Sequence, residues 1–468
     1  MQSNKISIKQ YFQFLKEAIR GKEQDFTAIS IRRAIFMLAI PMILEMLMES
    51  TFALVDILFV SKVSVNAVAT IGLTESVVVL VYAVAIGLSM AATAVVARRV
   101  GEKDLNGASQ VAVQVILIGV LVALVVSIIG VIFAKDILAL MGAEKDLINE
   151  GYGYTQWIFG GSVTIMLLFL INAVFRGAGN ASVAMWTLVL SNGLNMILDP
   201  MFIFGFGPIP AFGVQGAAIA TTIGRGTAVL FQLGILFYGY SRIKIRMKDL
   251  VLRTAVMLNL IKVSLGGIGQ FLIGTSSWLF LMRIMSEFGS EVLAGYTIAI
   301  RVMMFTLMPA WGMSNAAATL VGQNLGAKHP DRAEKSVYIT GKYNAIFMGL
   351  VSIIYLVLAP QIITWFNATP EVVKYGSLCL RVLASGYIFY GYGMVIIQSF
   401  NGAGDTKTPT YLNLISFWLF QLPFAYVMAV TLEVGPTGVF WAITFAEVLL
   451  AIIGFIWFKK GTWKTVQV

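Results

Sequence analysis

Charge is what this sequence has least of. Only 12% of its 468 residues are charged, while 58% are hydrophobic and the mean hydropathy is +0.85. A soluble domain carries about 25% charged residues, so the chain is read as an integral membrane protein. One cysteine, Cys379, excludes an internal disulfide framework and a thiolate metal site. One histidine, His329 in the polar stretch AKHPD, excludes a histidine relay. No DxD or HxxxD cluster and no Walker sequence occur, so neither enzymatic transfer chemistry nor ATP hydrolysis is expected. GxGxxG-like strings such as GYGYTQ and GGIGQ fall inside apolar runs, which argues against a nucleotide cofactor. No cofactor of any kind is expected. A secretory leader is not expected either, because the first 33 residues lack an apolar core followed by small residues.

Long apolar stretches, by contrast, begin near 34, 67, 108, 152, 183, 213, 258, 292, 337, 372, 408 and 437. Each is long enough to cross a bilayer, which gives an all-α protein of twelve transmembrane helices. The net charge of +10 raises nucleic acid or anionic lipid as partners, but its distribution points to topology. Alternate connections hold 23 Lys and Arg residues, against Lys62, Lys135, Lys145 and Lys374 in the other set. By the positive-inside rule both termini are cytoplasmic and the protein is a multi-pass protein of the inner membrane. No nucleic-acid partner is expected. Before the first span, Ile8, Phe12, Leu15 and Ile19 recur at helical spacing among Lys5, Lys9, Lys16 and Arg20, the pattern of an amphipathic helix on the membrane surface.

A shift of 225 residues aligns the two halves of the chain. FRGAGN at 175–180 meets FNGAGD at 400–405, and nine of the 24 residues at 85–108 match their partners. Chance in this composition would give about two or three. Six helices per half return the chain to the same side, so the repeat is parallel and its pseudo-two-fold axis lies along the membrane normal. The expected layout is a basic amphipathic N-terminus at 1–33, a first six-helix lobe at 34–240 and a cytoplasmic linker at 241–257. A second lobe follows at 258–460, with a cytoplasmic tail at 461–468. Two lobes around a central cleft are the architecture of alternating access.

The first span, LAIPMILEMLMESTFALVDILFV, holds three acids where one costs about 2.5–3.5 kcal/mol. Glu45, Glu49, Phe52 and Asp56 follow spacings of four, three and four, so they share one helix face that must look at protein, water or an ion. In SNGLNMILDP, Ser191, Asn195 and Asp199 form a second polar stripe. At the helical rise, Asp56 lies about 33 Å and Asp199 about 27 Å from the inner ends of their spans, both in the outer half. Thr221 follows about 12 Å into the sixth span from outside. Carboxylates, an amide and a hydroxyl together suit a proton, or a small hard cation such as Na⁺ held by Asp56, Asn195, Asp199 and Thr221. Helix-end capping, or bonding of backbone freed by Pro200, is the competing structural role. Glu45 and Glu49 are expected on a water-lined cavity, and Pro41, 15 residues before Asp56, is a candidate hinge.

Several strings together resemble the multidrug and toxic compound extrusion (MATE) family, in particular its DinF-like branch. They are P-x14-D ending in VDILFV, ARRVGEKD with its partner GQNLGAKH, FRGAG with FNGAGDTKTP, and NMILDPMFIFGFG followed by GVQGAAIAT. The resemblance covers about 30–465. It implies Asp56 as the coupling carboxylate of helix 1, Asn195 and Asp199 as its helix 5 partners, Thr221 as a helix 6 ligand and Asn172 as a contributor from helix 4. Tyr154 would line the same lobe. The NorM-like branch is expected to keep acids on helices 7 and 10, whereas here helix 7 has Gln270 and helix 10 has none. The coupling site is therefore expected in the first lobe alone.

The expected function is antiport: export of amphipathic, mostly cationic drugs or toxic compounds in exchange for H⁺ or Na⁺. The substrate cavity is expected to include Glu45, Glu49, Phe52 and Tyr154, with membrane lipids around a functional monomer. A lipid-linked substrate flippase of the same superfamily is the alternative, with Arg301 and Arg381 as its supporting residues. An integral-membrane transferase is a remote third.

Overall fold

The computed structural model describes residues 8–21, 24–239 and 241–468, with the side chains at 8–12, 53, 54, 57 and 65 outside the description. The apolar face expected at Ile8 and Phe12 therefore lies outside the described side chains. Helix α1 spans Ile8–Arg20 and joins α2, Ile31–Val60, through the Arg33–Glu17 ion pair at 2.8 Å. The first lobe continues with α3 (Val65–Gly101), α4 (Leu105–Ile132), α5 (Ala134–Leu140), α6 (Lys145–Gly160), α7 (Ser162–Ala178), α8 (Ala181–Phe204) and α9 (Val214–Tyr238). The second begins with α10 (Thr254–Met285), α11 (Ser290–Gly326), α12 (Pro330–Thr364), α13 (Pro370–Ser385) and α14 (Tyr387–Ala403). Its last two spans are Lys407–Thr431 and Pro436–Lys459. Among the described residues eleven helices are long and apolar enough to cross a membrane, and α13 with α14, bent by 57°, makes the twelfth.

The repeat register is written into the backbone. Helices α7 and α14 both end on a left-handed glycine, Gly179 at φ +85 and Gly404 at φ +88, which only a residue without Cβ adopts cheaply. These are the glycines closing FRGAG and FNGAG. The turns after α3 and α11 each hold a lysine with positive φ, Lys103 at +62 and Lys328 at +60. The fourth and tenth spans break at Gly161 and Gly386, which are related by the same shift. The linker is ordered rather than free: Gln114 on α4 donates to Val251 O at 2.8 Å and accepts from Arg253 N at 3.0 Å.

Contacts between lobes are reciprocal, as a pseudo-two-fold axis requires. A Cβ added at Gly87 would lie 2.6 Å from Ile268 N, and one at Gly312 would lie 2.8 Å from Ile43 N. Likewise a Cβ at Gly101 would fall 2.0 Å from Gln323 O, and one at Gly326 would fall 2.1 Å from Arg98 O. Backbone-to-backbone approach of this kind needs glycine. The described approaches lie on the half of the bundle that carries both chain ends. There Gln323 also donates to Gly177 O at 2.9 Å, and Arg98 donates to Val466 O at 2.8 Å. The two lobes are thus sealed against each other on the terminal side.

Gly101→Val forces a branched side chain against the Gln323 backbone and is expected to weaken this seal by about 1–3 kcal/mol. A reporter cysteine at Asn315, which lines the space between the lobes, placed in a Cys379→Ser background, should become more reactive toward an impermeant thiol reagent from the terminal side. Unchanged labelling would mean that the glycine approach does not hold the seal.

Candidate functional site

Two glycines on α9 decide how the first-lobe chamber is built. A Cβ at Gly224 would lie 2.8 Å from Ser191 O, and one at Gly216 would lie 2.4 Å from Phe202 O, so α9 rests directly on the α8 backbone. That contact brings Thr221 to the polar stripe. Asn195 donates to Asp199 Oδ1 at 3.2 Å and to Thr221 Oγ1 at 3.0 Å. Asn192, one turn away on the same helix, donates to Met48 O at 3.1 Å and fixes the height of α2 against α8. Asp56 and Asp199 interact electrostatically across the chamber.

After these bonds Asp199 Oδ2, Asn195 Oδ1 and Asp56 Oδ1 are buried without a hydrogen-bond donor among the described residues. Asp199 itself is fully buried. An unpartnered buried acceptor is costly, and two of the three belong to carboxylates within electrostatic range of each other. Their chemistry is acceptance of a proton or a hard monovalent cation. Tyr154 sits beside them in an apolar group with Val60, Ala67, Ile71, Ile203 and Val214, in electrostatic range of Asp56.

One turn beyond Thr221, Arg225 projects into the same region, and the sequence reading passed it over. It is 8% exposed, donates to the Tyr82 hydroxyl at 3.3 Å, and lies over the Phe52 ring at 5.8 Å. It interacts electrostatically with Glu49, Asp56 and Glu75. No carboxylate among the described residues comes within ion-pair distance of it. A charged residue in an apolar span, four positions from a proposed ligand, was the signal available in the sequence.

A second polar centre lies between the lobes, on the wall of a cavity of about 280 Å³. Glu45 and Glu49 line it, with Asn172, Arg176, Trp311 and Asn315. Glu45 is paired with Arg176 at 2.6 Å and accepts from Asn172 at 3.2 Å; Gln232 in turn donates to Asn172 at 2.5 Å. Glu45 Oε2 is buried and unpartnered. Shifted by 225, Glu45 and Arg176 become Gln270 and Asn401. That pair also meets, in a double amide contact at 2.9 and 3.1 Å. The contact is repeated in both lobes, but only the first carries charge.

The structure therefore brings Asn195, Asp199 and Thr221 into hydrogen-bond contact, with Asp56 in electrostatic range of Asp199. Asn172 stands apart from them, bonded to Glu45 and Gln232. Phe52 and Tyr154 face the first-lobe chamber and are not among the residues lining the cavity between the lobes. Helix α2 runs unbroken through the buried Pro41.

Comparison with known proteins agrees with the two-lobed fold. A family model, MatE, matches residues 41–201 and 268–427, one segment in each lobe. A probable multidrug resistance protein of Bacillus subtilis, YoeA, is 25% identical over 450 residues, covering 94% of this chain and 96% of that protein. The probable multidrug resistance protein NorM of Thermotoga maritima is 25% identical over 442 residues, covering 93% of each chain. Among solved structures, a crystal structure of MATE in complex with MaL6 superposes with a TM-score of 0.87 at 26% identity, covering 96% of this chain and 99% of that one.

Arg176→Asn strips the partner from a buried carboxylate and is expected to destabilise the protein by about 3–5 kcal/mol. Glu45→Gln combined with Arg176→Asn installs the amide pair that the second lobe already uses and should recover most of that loss. Thermal unfolding in detergent reads both. A double variant no more stable than the single one would show that the two contacts are not equivalent.

Proposed function

Because the chain belongs to the MatE family, we propose that it is a secondary antiporter that exports amphipathic organic cations in exchange for H⁺ or Na⁺. The observation that carries this reading is the set of unpartnered buried oxygens on Asp56, Asn195 and Asp199, residues that do not line the cavity between the lobes. These oxygens have no hydrogen-bond donor among the described residues, so a cation entering from the far side relieves their electrostatic cost. The cavity between the lobes supplies the cargo site: Glu49 and the spare oxygen of Glu45 attract a cation, while Trp311, Met90 and Met308 adapt to apolar bodies. The description of the Bacillus and Thermotoga relatives as probable multidrug resistance proteins supports a drug-like cargo.

In this reading both chain ends are cytoplasmic, in the inner membrane, so the terminal seal makes the described state outward-facing. A cation binding at Asp56 and Asp199 neutralises the chamber, α2 bends about Pro41, and the cargo is released outward. The lobes then rock about their glycine contacts to reopen the terminal side. Asn172 serves the cargo cavity rather than the ion, because its bonds go to Glu45 and Gln232. One chain holds both sites, so a monomer suffices.

Proteoliposomes loaded with a cationic dye test the proposal, with a pH gradient and a Na⁺ gradient imposed separately. Wild type should move dye against one of the two gradients and Asp199→Asn should abolish that movement, a loss of about tenfold or more in rate. Dye movement by Asp199→Asn at the wild-type rate would defeat the coupling role, and movement under neither gradient would defeat antiport itself.

A further inference from the structure

An antiporter must keep its cargo and its coupling cation from being bound together, and the position of Arg225 offers a physical means. Phe52 sits on α2 three residues after Glu49 and four before Asp56. At the helical rise that is about 4.5 Å from one acid and about 6 Å from the other. Arg225 lies over this ring at 5.8 Å, braced by Tyr82 at 3.3 Å. One guanidinium therefore stands between an acid of the cargo cavity and an acid of the ion chamber, bonded to neither.

The other groups facing it are few. From α3 come Glu75 and the Tyr82 hydroxyl, and from α6 the Tyr154 hydroxyl; Asp199 on α8 acts on Asp56. Glu75 is exposed on the surface of α3 and also lies within electrostatic range of Arg225, whereas Glu49 and Asp56 are partly enclosed. Arg225 has one charge to give and two enclosed acids to satisfy.

We propose that Arg225 is the positioning residue that couples the two sites: it serves as a tethered cation shared by Glu49 and Asp56, so that neutralising either acid delivers the guanidinium to the other. This deepens the antiport reading and rests on it. When a coupling cation neutralises Asp56, Arg225 turns to Glu49 and displaces a cargo cation. When cargo neutralises Glu49, Arg225 turns to Asp56 and competes with the coupling cation. Exclusion then runs in both directions with equal strength, as linkage demands. A flexible side chain pivoting over an aromatic face needs no movement of either lobe.

The test is a double-mutant cycle on purified full-length protein, at fixed pH and salt and without a gradient, so it fails separately from the transport experiment. Binding of the lipophilic monovalent cation ethidium is measured by fluorescence polarisation. Asp56→Asn stands for the neutralised chamber and should raise the ethidium Kd about fivefold or more when Arg225 is present. In Arg225→Met and Arg225→Gln backgrounds the same change should alter Kd by less than about twofold, and in Arg225→Lys, which keeps the charge, the effect should return. The two neutral replacements guard against one of them failing to fold. An Asp56→Asn effect of equal size in every background, or none with Arg225 present, overturns the proposal. Ethidium bound by none of the proteins overturns the cargo reading and this inference with it.

Discussion

A carboxylate held away from water needs a positive partner, and the first lobe is organised by that requirement. Glu45 has a fixed one in Arg176, 2.6 Å away. Glu49, Asp56 and Glu75 have Arg225 within electrostatic range, in ion-pair contact with none of them. Asp199 has an amide donor but no cation of its own among the described residues. The first lobe thus encloses Glu45, Glu49, Asp56 and Asp199, wholly or partly, against the guanidinium groups of Arg176 and Arg225. In a low-dielectric interior such an excess of carboxylates is costly unless protonation or a cation offsets it.

The fold places these groups with the precision of backbone packing. Gly216 and Gly224 let α9 lie on α8, and the same device joins the lobes at Gly87, Gly312, Gly101 and Gly326. Glycine contacts have no side-chain interlock, so they combine close approach with a smooth surface. The same residue type thereby shapes the polar chamber within a lobe and forms the surface on which the lobes meet.

Duplication supplied the scaffold and divergence the chemistry. The helix-ending glycines Gly179 and Gly404, the turn lysines Lys103 and Lys328, and the reciprocal glycine contacts are common to both halves. Charge is not. Glu45 with Arg176 is answered by Gln270 with Asn401, an equally bonded but neutral pair. Asp56 and Asp199 have Leu281 and Phe424 at the corresponding positions. Glu447 stands in electrostatic contact with Tyr390 and lines a small separate pocket. At the positions of Glu45, Arg176, Asp56 and Asp199 the first lobe is charged and the second is neutral.

What the sequence determined by itself follows from local rules. Twelve spans, their repeat at 225 residues and the shared face of Asn195 and Asp199 come from hydropathy, insertion cost and helical spacing, none of which depends on where another helix lies. Tertiary structure decided which stripes meet. Asn172 shares a lobe with Asp199, yet its amide goes to Glu45, 127 residues away. Tyr154 and Phe52 turn to the first-lobe chamber instead of the cavity between the lobes, and Arg225 reaches a ring on α2 from α9. Such pairings depend on the rotation and sideways approach of packed helices, set by a few glycine contacts. A span's apolar pattern fixes that it crosses the membrane, but it leaves that rotation open.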